Sequence, residues 1–212
     1  MTLPQHSAAT CEHGTPAEGV DLARYSLGGL DLDPFSSAYW NHYSVKAGAF
    51  FDKRTNGLAQ DWTGKLIVNP PGEDSVVNPA TKKREVIAPS LVRPAWEKLV
   101  QHWRAGQVDG ALWWGYSLEQ LQMLQVSPFM YQGAPWSPLK CLTVILAARP
   151  KHLVRSAANG PPTPGTSPTH GGYATLLPSV RFRSLAEEQV ARFVERAGKL
   201  GVVVRPVSGI RT

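Results

Sequence analysis

The residues best suited to chemistry follow a short β-prone run in the sequence Leu66-Ile67-Val68-Asn69-Pro70-Pro71-Gly72. A buried strand would end at Val68, because neither proline has an N–H to donate to a neighbouring strand. Open α/β sheets bind ligands just beyond the carboxyl ends of their strands, so the Asn69 side chain and the proline carbonyls would face a pocket. This turn offers acceptors that suit the two N–H donors of an amino group. An ordinary strand-to-loop turn, which Asn-Pro pairs often form, is the alternative.

Periodic apolar residues predict the elements that would position this turn. Helical spacing predicts helices over residues 38–47, 90–104, 117–125 and 184–200. β-prone runs predict strands over residues 25–32, 49–51, 65–68, 110–116, 141–148, 173–177 and 202–204. Strands that alternate with helices in this way are typical of α/β proteins. We therefore expect a mostly parallel central sheet with helices on both faces.

Length and composition favour one folded domain. The chain has 212 residues, of which 42% are hydrophobic and seven are tryptophan. We expect a flexible tail over residues 1–25 and a single domain over 26–212, with loops at 72–89 and 150–172. No apolar run is long enough to span a membrane, and the N-terminus lacks a signal-peptide pattern, so we expect a cytoplasmic protein. Cys11, Cys141 and the six histidines show no spacing typical of a disulfide scaffold or a metal site.

Basic residues concentrate toward the end of the chain. Residues 1–34 carry one basic and five acidic residues, residues 35–139 carry ten and eight, and residues 140–212 carry eleven and three. The three net charges are therefore −4, +2 and +8. Lys82, Lys83 and Arg84 also stand together in a polar insertion. These cations are typical of a nucleic-acid phosphate contact, and a solvated surface with an exposed hairpin tip is the alternative.

Three segments, in order, resemble the phage-type DNA N6-adenine methyltransferases. They are Asp31-Leu32-Asp33-Pro34-Phe35-Ser36, Asn56-Gly57-Leu58-Ala59-Gln60-Asp61-Trp62 and Asn69-Pro70-Pro71. In that family an Asp-x-Asp-Pro strand end, an Asp/Asn-x-Leu…Trp segment and Asn-Pro-Pro follow in this order at similar spacing. The resemblance covers residues 27–126. It implies a Rossmann-like methyltransferase fold, S-adenosylmethionine as cofactor, double-stranded DNA as partner, methyl transfer to adenine N6, and the host cytoplasm as location if a phage encodes the chain.

The resemblance also implies roles for individual residues. The Asn69-Pro70-Pro71 turn would hold the target amine of a base flipped out of the duplex. Asp31 and Asp33 would share one face of the first strand, with Asp33 nearest the cofactor, and Asp52 would accept from the ribose hydroxyls. The implied cofactor residues are Asp31, Asp33, Pro34, Phe35, Asp52, Asn56 and Leu58. The candidate DNA contacts are Lys82, Lys83 and Arg84, and no metal ligand is implied.

Three departures from the family pattern support a second hypothesis. Gly72 stands where the family usually carries an aromatic ring that stacks on the flipped base. Ser36 and Ser37 replace the glycines of the cofactor loop, and Asn56 replaces an Asp. The aromatic residues that could supply the missing ring are Tyr116, Phe129, Trp136 and Tyr173. The alternative protein keeps the sheet and the basic surface, and binds DNA or a host protein without methyl transfer. The sequence leaves the oligomeric state open.

Overall fold

A computed structural model describes residues 13–125, 130–131, 134–135, 138–156, 160–165 and 171–206. The five α-helices of this part are α1 Ala17–Leu27, α2 Ala38–Trp40, α3 Val92–Arg104, α4 Glu119–Gln125 and α5 Arg183–Ala197. A π-helical turn, Asn41–Val45, continues α2, and short 3-10 turns cover Gly57–Ala59 and Pro138–Lys140.

The strands of the described part are numbered in chain order. They are β1 His13–Gly14, β2 Leu32–Asp33, β3 Ala49–Phe50, β4 Gly64–Val68, β5 Asp74–Val77, β6 Arg84–Ala88, β7 Val108–Gly115, β8 Met130–Tyr131, β9 Ala134–Pro135, β10 Leu142–Leu146, β11 Leu153–Val154, β12 Thr163–Pro164, β13 Tyr173–Pro178 and β14 Gly201–Val204.

Seven strands form the central sheet, in the order β14-β10-β13-β7-β4-β2-β3. The pairs β2–β3, β2–β4 and β4–β7 are parallel, whereas β7–β13, β13–β10 and β10–β14 are antiparallel. The prediction of a Rossmann-like, mostly parallel sheet is therefore wrong, because half of the neighbouring pairs are antiparallel. The reason is that β13 inserts between β7 and β10 in the opposite direction, and antiparallel neighbours need no crossover helix between them.

Helices cover both faces of this sheet because the strand residues alternate between two cores. On one face, Val68 and Trp113 pack in the same cluster as Trp96 and Leu99 of α3. On the other face, Ile67 and Trp114 pack in a cluster with residues of α1 and α5. The alternation fixes the register of β4 and β7, since a shift by one residue would exchange the two faces.

The N-terminal prediction needs a correction. A flexible tail was expected over residues 1–25 and a strand over 25–32, but residues 17–27 form α1, which buries Val20, Ala23 and Leu27. This helix begins after Pro16 and ends at Gly28, which has the left-handed φ of 71° that suits a glycine C-cap. The first strand of the sheet is reduced to Leu32–Asp33. Residues 1–12 lie outside the described part.

Two small β structures flank the edge of the sheet where β2 and β4 end. The expected loop over 72–89 is a two-stranded hairpin of β5 and β6. Part of the expected loop over 150–172 forms β11 and β12, which pair with β1 in a three-stranded sheet. Tyr39 of α2 holds this small sheet, because its hydroxyl donates to the Gly160 carbonyl at 2.9 Å and accepts from the Ser156 N–H at 3.1 Å.

Candidate functional site

Asp33 and Asn69 come together at the ends of two neighbouring parallel strands. Asp33 is the last residue of β2 and Asn69 follows β4, and these strands pair through Leu32 and Leu66. Both residues line one cavity of about 30 Å³, which has room for roughly one water molecule. The other residues that line this cavity are His13, Gly14, Thr15, Phe35, Ser36, Trp40, Ser44 and Val45. Two predicted site residues from separate motifs therefore share one cavity.

Asp33 is a buried carboxyl group with 4% of its surface exposed. Burial raises its pKa to about 6, against the opposing effects of the Phe35 N–H and the Ser36 hydroxyl. The Phe35 N–H donates to Asp33 Oδ1 at 3.1 Å. At neutral pH the carboxylate is mostly charged, so it places a negative charge in a low-dielectric cavity. Such a group favours a cationic ligand, above all an ammonium that donates hydrogen bonds.

Asn69 is held by its amide nitrogen, which donates to Thr15 Oγ1 at 3.0 Å. This bond turns the Asn69 Oδ1 atom away from Thr15, and within the described residues Oδ1 accepts no hydrogen bond. The Pro70 carbonyl likewise accepts none from the described part of the chain. The Pro71 carbonyl is already used, because it accepts from the Leu91 N–H at 3.0 Å. The predicted acceptor pair therefore reduces to Asn69 Oδ1 and the Pro70 carbonyl.

Tyr116 occupies the space beside Gly72. Tyr116 follows β7, the neighbour of β4, so it lies at the same edge of the sheet as Asn69. A Cβ atom placed on Gly72 would collide with the Tyr116 hydroxyl oxygen. Burial raises the pKa of Tyr116, opposed by hydrogen bonds with Gln120 and Ser90, so the phenol stays neutral at physiological pH. The Tyr116 side chain therefore occupies the space that a side chain at position 72 would otherwise fill.

The other aromatic candidates are placed differently. Tyr173 is fully buried, and its hydroxyl accepts from the Trp113 indole N–H at 3.0 Å. Burial raises the pKa of Tyr173 by more than the hydrogen bond with Trp113 lowers it. This ring is a core residue and cannot stack on a ligand. Phe129 and Trp136 lie outside the described residues.

Residues near the N-terminus cover the cavity, and the sequence reasoning missed them. His13, Gly14 and Thr15 line one wall, and the ring of Trp40 packs directly against Gly14. His152 is buried near His13, with ring centroids 6.2 Å apart. Burial, with a smaller effect of His13, lowers the pKa of His152 to about 4, so this imidazole is neutral at pH 7. The signal that could have found this wall is Thr15-Pro16, because a proline in this position marks the start of a helix.

Five of the implied cofactor residues do not line the cavity, namely Asp31, Pro34, Asp52, Asn56 and Leu58. Asp31 is exposed, and its carboxylate accepts from the Lys65 N–H at 2.8 Å. Asp52 closes a surface turn, in which Oδ1 accepts from the N–H groups of Arg54 and Thr55. The Thr55 hydrogen bonds lower the pKa of Asp52. Asn56 is an exposed residue with a φ of 53°, and Leu58 packs against a core cluster.

Pro34 and Phe35 link the cavity to the Asn-Gly-Leu…Trp segment. Phe35 lines the cavity and packs edge-on against Trp62, with ring centroids 5.6 Å apart. The Trp62 indole N–H donates to the Gly57 carbonyl at 2.8 Å. A Cβ on Gly57 would collide with the Pro34 carbonyl oxygen, which explains glycine at this position. The segment therefore supports the wall of the cavity and does not itself contribute a polar group to it.

The three candidate DNA contacts lie on the hairpin, apart from the cavity. Arg84 pairs with Glu73 at 3.2 Å and donates from Nε to Ser75 Oγ at 2.5 Å. Lys82 and Lys83 are exposed. Within the described residues, no group of three or more His, Cys, Asp or Glu side chains could hold a metal ion. No helix in the same part has the length and apolar character that crossing a membrane requires.

The cavity is lined by the buried Asp33 carboxylate and by Asn69. The Pro70 carbonyl follows Asn69 in the chain, and Tyr116 lies beside Gly72 at the same edge of the sheet. This arrangement suits a ligand with an ammonium group and a second ligand with an amino group. Comparisons of the chain with protein-family models, curated proteins and solved structures found no match.

Proposed function

We propose that this protein is an S-adenosylmethionine-dependent methyltransferase that acts on adenine N6 in double-stranded DNA. The single observation that carries the proposal is the shared cavity of Asp33 and Asn69. One of these residues suits the charged end of the cofactor, and the other suits the amine that receives the methyl group. The order of the Asp-Pro-Phe and Asn-Pro-Pro motifs in the sequence supports the same assignment.

Asn69 and Pro70 would orient the target amine. Asn69 Oδ1 and the Pro70 carbonyl accept its two N–H groups, which leaves the nitrogen lone pair directed away from both acceptors. The cofactor supplies an electrophilic methyl group on a sulfonium. Orientation alone provides much of the rate in such a transfer, so no strong general base is needed at the site. In the closed cavity the Asn69 amide nitrogen donates to Thr15 Oγ1, which leaves Oδ1 as the acceptor for the amine.

The chemical character of the residues around the cavity suits S-adenosylmethionine, but the closed cavity is too small to admit it. The Asp33 carboxylate accepts from an ammonium, as the amino-acid end of the cofactor requires. A volume of about 30 Å³ is far too small for a nucleoside, however. Binding therefore requires residues 13–15 to move away from Trp40 and Asn69. We expect Thr15→Val, which removes the hydrogen bond to Asn69, to ease this movement and to raise the association rate of the cofactor.

The target base must leave the duplex to reach Asn69, because the amine of a stacked and paired adenine is not free to enter a cavity. Tyr116 is the described aromatic side chain beside Gly72, where a flipped base would pass. Its ring is partly buried and neutral, which suits stacking on a base. We therefore assign Tyr116 the role of the missing aromatic residue.

The first experiment asks whether transfer occurs at all. The protein is incubated with labelled S-adenosylmethionine and unmethylated plasmid DNA, and the DNA is digested to nucleosides. We expect the label in N6-methyladenine. Label in another nucleoside would correct the target atom, and no label over a range of duplexes would remove the proposed activity.

A binding experiment tests Asp33 separately. Calorimetry with S-adenosylhomocysteine should show binding by the wild type and a loss of at least about tenfold in affinity for Asp33→Ala, since the ammonium loses a charged partner. Asp21→Ala is the matched control, because Asp21 is exposed on α1. Equal affinities for wild type and Asp33→Ala would take Asp33 out of the site.

The closed cavity also favours a second candidate function. A protein in which residues 13–15 permanently fill the cofactor position would bind DNA without methyl transfer. This protein would show no binding of S-adenosylhomocysteine, and Thr15→Val would not restore it. Salt-dependent DNA binding would remain.

A further inference from the structure

The hairpin of β5 and β6 projects from the same edge of the sheet as the cavity. Its first strand begins at Asp74, directly after the Asn-Pro-Pro-Gly turn, and its second strand ends at Ala88. The Leu91 N–H donates to the Pro71 carbonyl at 3.0 Å and so joins the two ends of the hairpin. The base of the hairpin therefore lies beside the Asn-Pro-Pro-Gly turn.

Aliphatic side chains of the hairpin are exposed, which is unusual for so short an element. Val76, Val77, Val86 and Ile87 are 48%, 64%, 56% and 60% exposed. Ser75 pairs with Val86 and Val77 with Arg84, so Val77 and Val86 share one face of the ribbon. Val76 pairs with Glu85 and lies on the opposite face. A two-stranded hairpin is at best marginally stable alone, and exposed apolar rungs on it indicate a binding surface.

The charged residues of the hairpin indicate what kind of partner it would bind. Glu73, at the base of the hairpin, pairs with Arg84 at 3.2 Å. Glu85, near the tip, accepts from Asn78 Nδ2 at 2.6 Å and keeps its charge. Lys82 and Lys83 at the tip are exposed and make no ion pair with a described residue. A ribbon with a cationic tip and an apolar body complements a polyanion that also offers apolar groups. Duplex DNA does so, since thymine methyl groups lie in a groove that admits a two-stranded β-ribbon.

We infer that the hairpin, residues 74–88, enters the major groove of the substrate duplex, with Lys82 and Lys83 on phosphates and Val77 and Val86 against base edges. This inference rests on the proposed function, because it places the duplex beside Asn69. In this arrangement the valines of the hairpin recognise the DNA sequence. The two lysines position the hairpin on the DNA backbone and do not contribute to sequence recognition.

Two sets of variants test the inference by fluorescence anisotropy on a labelled duplex that the wild type binds. The double variant Lys82→Ala/Lys83→Ala should reduce the slope of log affinity against log salt by about 2, since each phosphate contact contributes about 0.9. The double variant Val77→Thr/Val86→Thr should lower affinity for the preferred duplex about tenfold, with an unchanged salt slope. Both substitutions are at exposed positions, so the fold should be intact by circular dichroism.

Matched controls are available outside the hairpin. Val202→Thr changes another exposed valine, at 70% exposure on β14, and should leave affinity unchanged. Lys140→Ala/Lys199→Ala removes two other exposed lysines, and should change the salt slope less than the hairpin pair does. Equal effects of the hairpin and control variants would overturn the inference. So would unchanged DNA binding together with loss of self-association in sedimentation, because the ribbon would then contact a second copy of the chain.

The result also separates this inference from the proposed function. Hairpin-dependent DNA binding by a wild type that transfers no methyl group would support the inference and remove the proposed activity. Methyl transfer that is indifferent to every hairpin variant would support the activity and overturn the inference.

Discussion

Strand β4 and the hairpin that follows it are adjacent in the chain but differ in how far their side chains are buried. Val68, at the end of β4, is fully buried between the sheet and α3, whereas Val77 in the hairpin is 64% exposed. The buried strand holds Asn69 in a fixed position, and the hairpin has few contacts with the core. Under the proposed function, the rigid edge of the sheet would position the reacting groups and the exposed ribbon would contact the DNA.

The same substitution, made once in the buried strand and once in the hairpin, tests this difference in packing. We expect Val68→Ala to lower the free energy of unfolding by roughly 2–4 kcal/mol, because it leaves a cavity in a packed core. Val77→Ala should change it by less than about 0.5 kcal/mol, since an exposed side chain leaves no cavity. Urea unfolding followed by circular dichroism measures both. A similar cost for the two variants would show that the hairpin packs on the body of the protein.

A second prediction contrasts Asp33 with the exposed Asp31. Because burial raises the pKa of Asp33 from 3.8 to about 6, the folded state favours the protonated form. The resulting stability is complete below about pH 4 and is lost as the pH rises through 6. Asp33→Asn, which is neutral at every pH, should therefore gain stability relative to wild type between pH 4 and 7.5, by at most about 3 kcal/mol.

The measurement is a series of urea unfolding curves at pH 4.5, 6 and 7.5. Asp31→Asn is the control, because it makes the same chemical change at an exposed residue, and the stability difference of Asp33→Asn should depend on pH more strongly than that of the control. A pH-independent difference for Asp33→Asn would mean that the carboxyl group is solvated and has no raised pKa. The gain would also show that wild type retains a destabilising charge at the position proposed to bind the cofactor.

A smaller effect is expected where Gly72 meets Tyr116. Gly72→Ala should cost about 1–2 kcal/mol, because its Cβ collides with the Tyr116 hydroxyl and the ring must shift. Tyr116→Phe removes that oxygen, so the double variant should recover part of the loss. A four-variant cycle of unfolding free energies measures the coupling. Strict additivity would show that the two side chains do not touch.

The sequence predicted the elements that have strong local patterns. The strand over 65–68 and the helix over 90–104 correspond to β4 and α3, because an apolar run before two prolines and apolar residues at helical spacing each have one simple solution. The helix α1 was missed although Val20, Ala23 and Leu27 follow helical spacing between Pro16 and Gly28. A nearby resemblance to a strand-end motif favoured a longer strand than the two residues of β2.

The direction of strand β13 could not be predicted from the sequence. The run over Tyr173–Pro178 is buried on both faces, and such a run has the same pattern in parallel and antiparallel neighbours. The direction of β13 depends on how the long connection before it returns to the sheet, which no local residue specifies. The same limit applies to the cavity, because Thr15 and Asn69 meet only through the tertiary fold.

The location of a polar residue was predictable where it stands at the carboxyl end of a strand. Asp33 is the last residue of β2 and Asn69 directly follows β4, as the strand-end motifs predicted. Asp31 was expected beside Asp33 by strand alternation, but β2 comprises only Leu32–Asp33, so Asp31 lies before the strand and binds the Lys65 N–H. Short strands therefore weaken any inference from alternation.

The most direct test of the account is single-turnover methyl transfer by wild type and Asn69→Ala on the same duplex. We predict that Asn69→Ala reduces the rate by about a hundredfold or more, the effect of losing one positioned polar group worth roughly 2–4 kcal/mol in the transition state. Asn69→Ala should remain folded by circular dichroism, and its affinity for S-adenosylhomocysteine should not fall below that of wild type, because the variant also loses the hydrogen bond to Thr15 that holds the cavity closed. An Asn69→Ala variant that transfers methyl as fast as wild type would show that Asn69 does not orient the target amine.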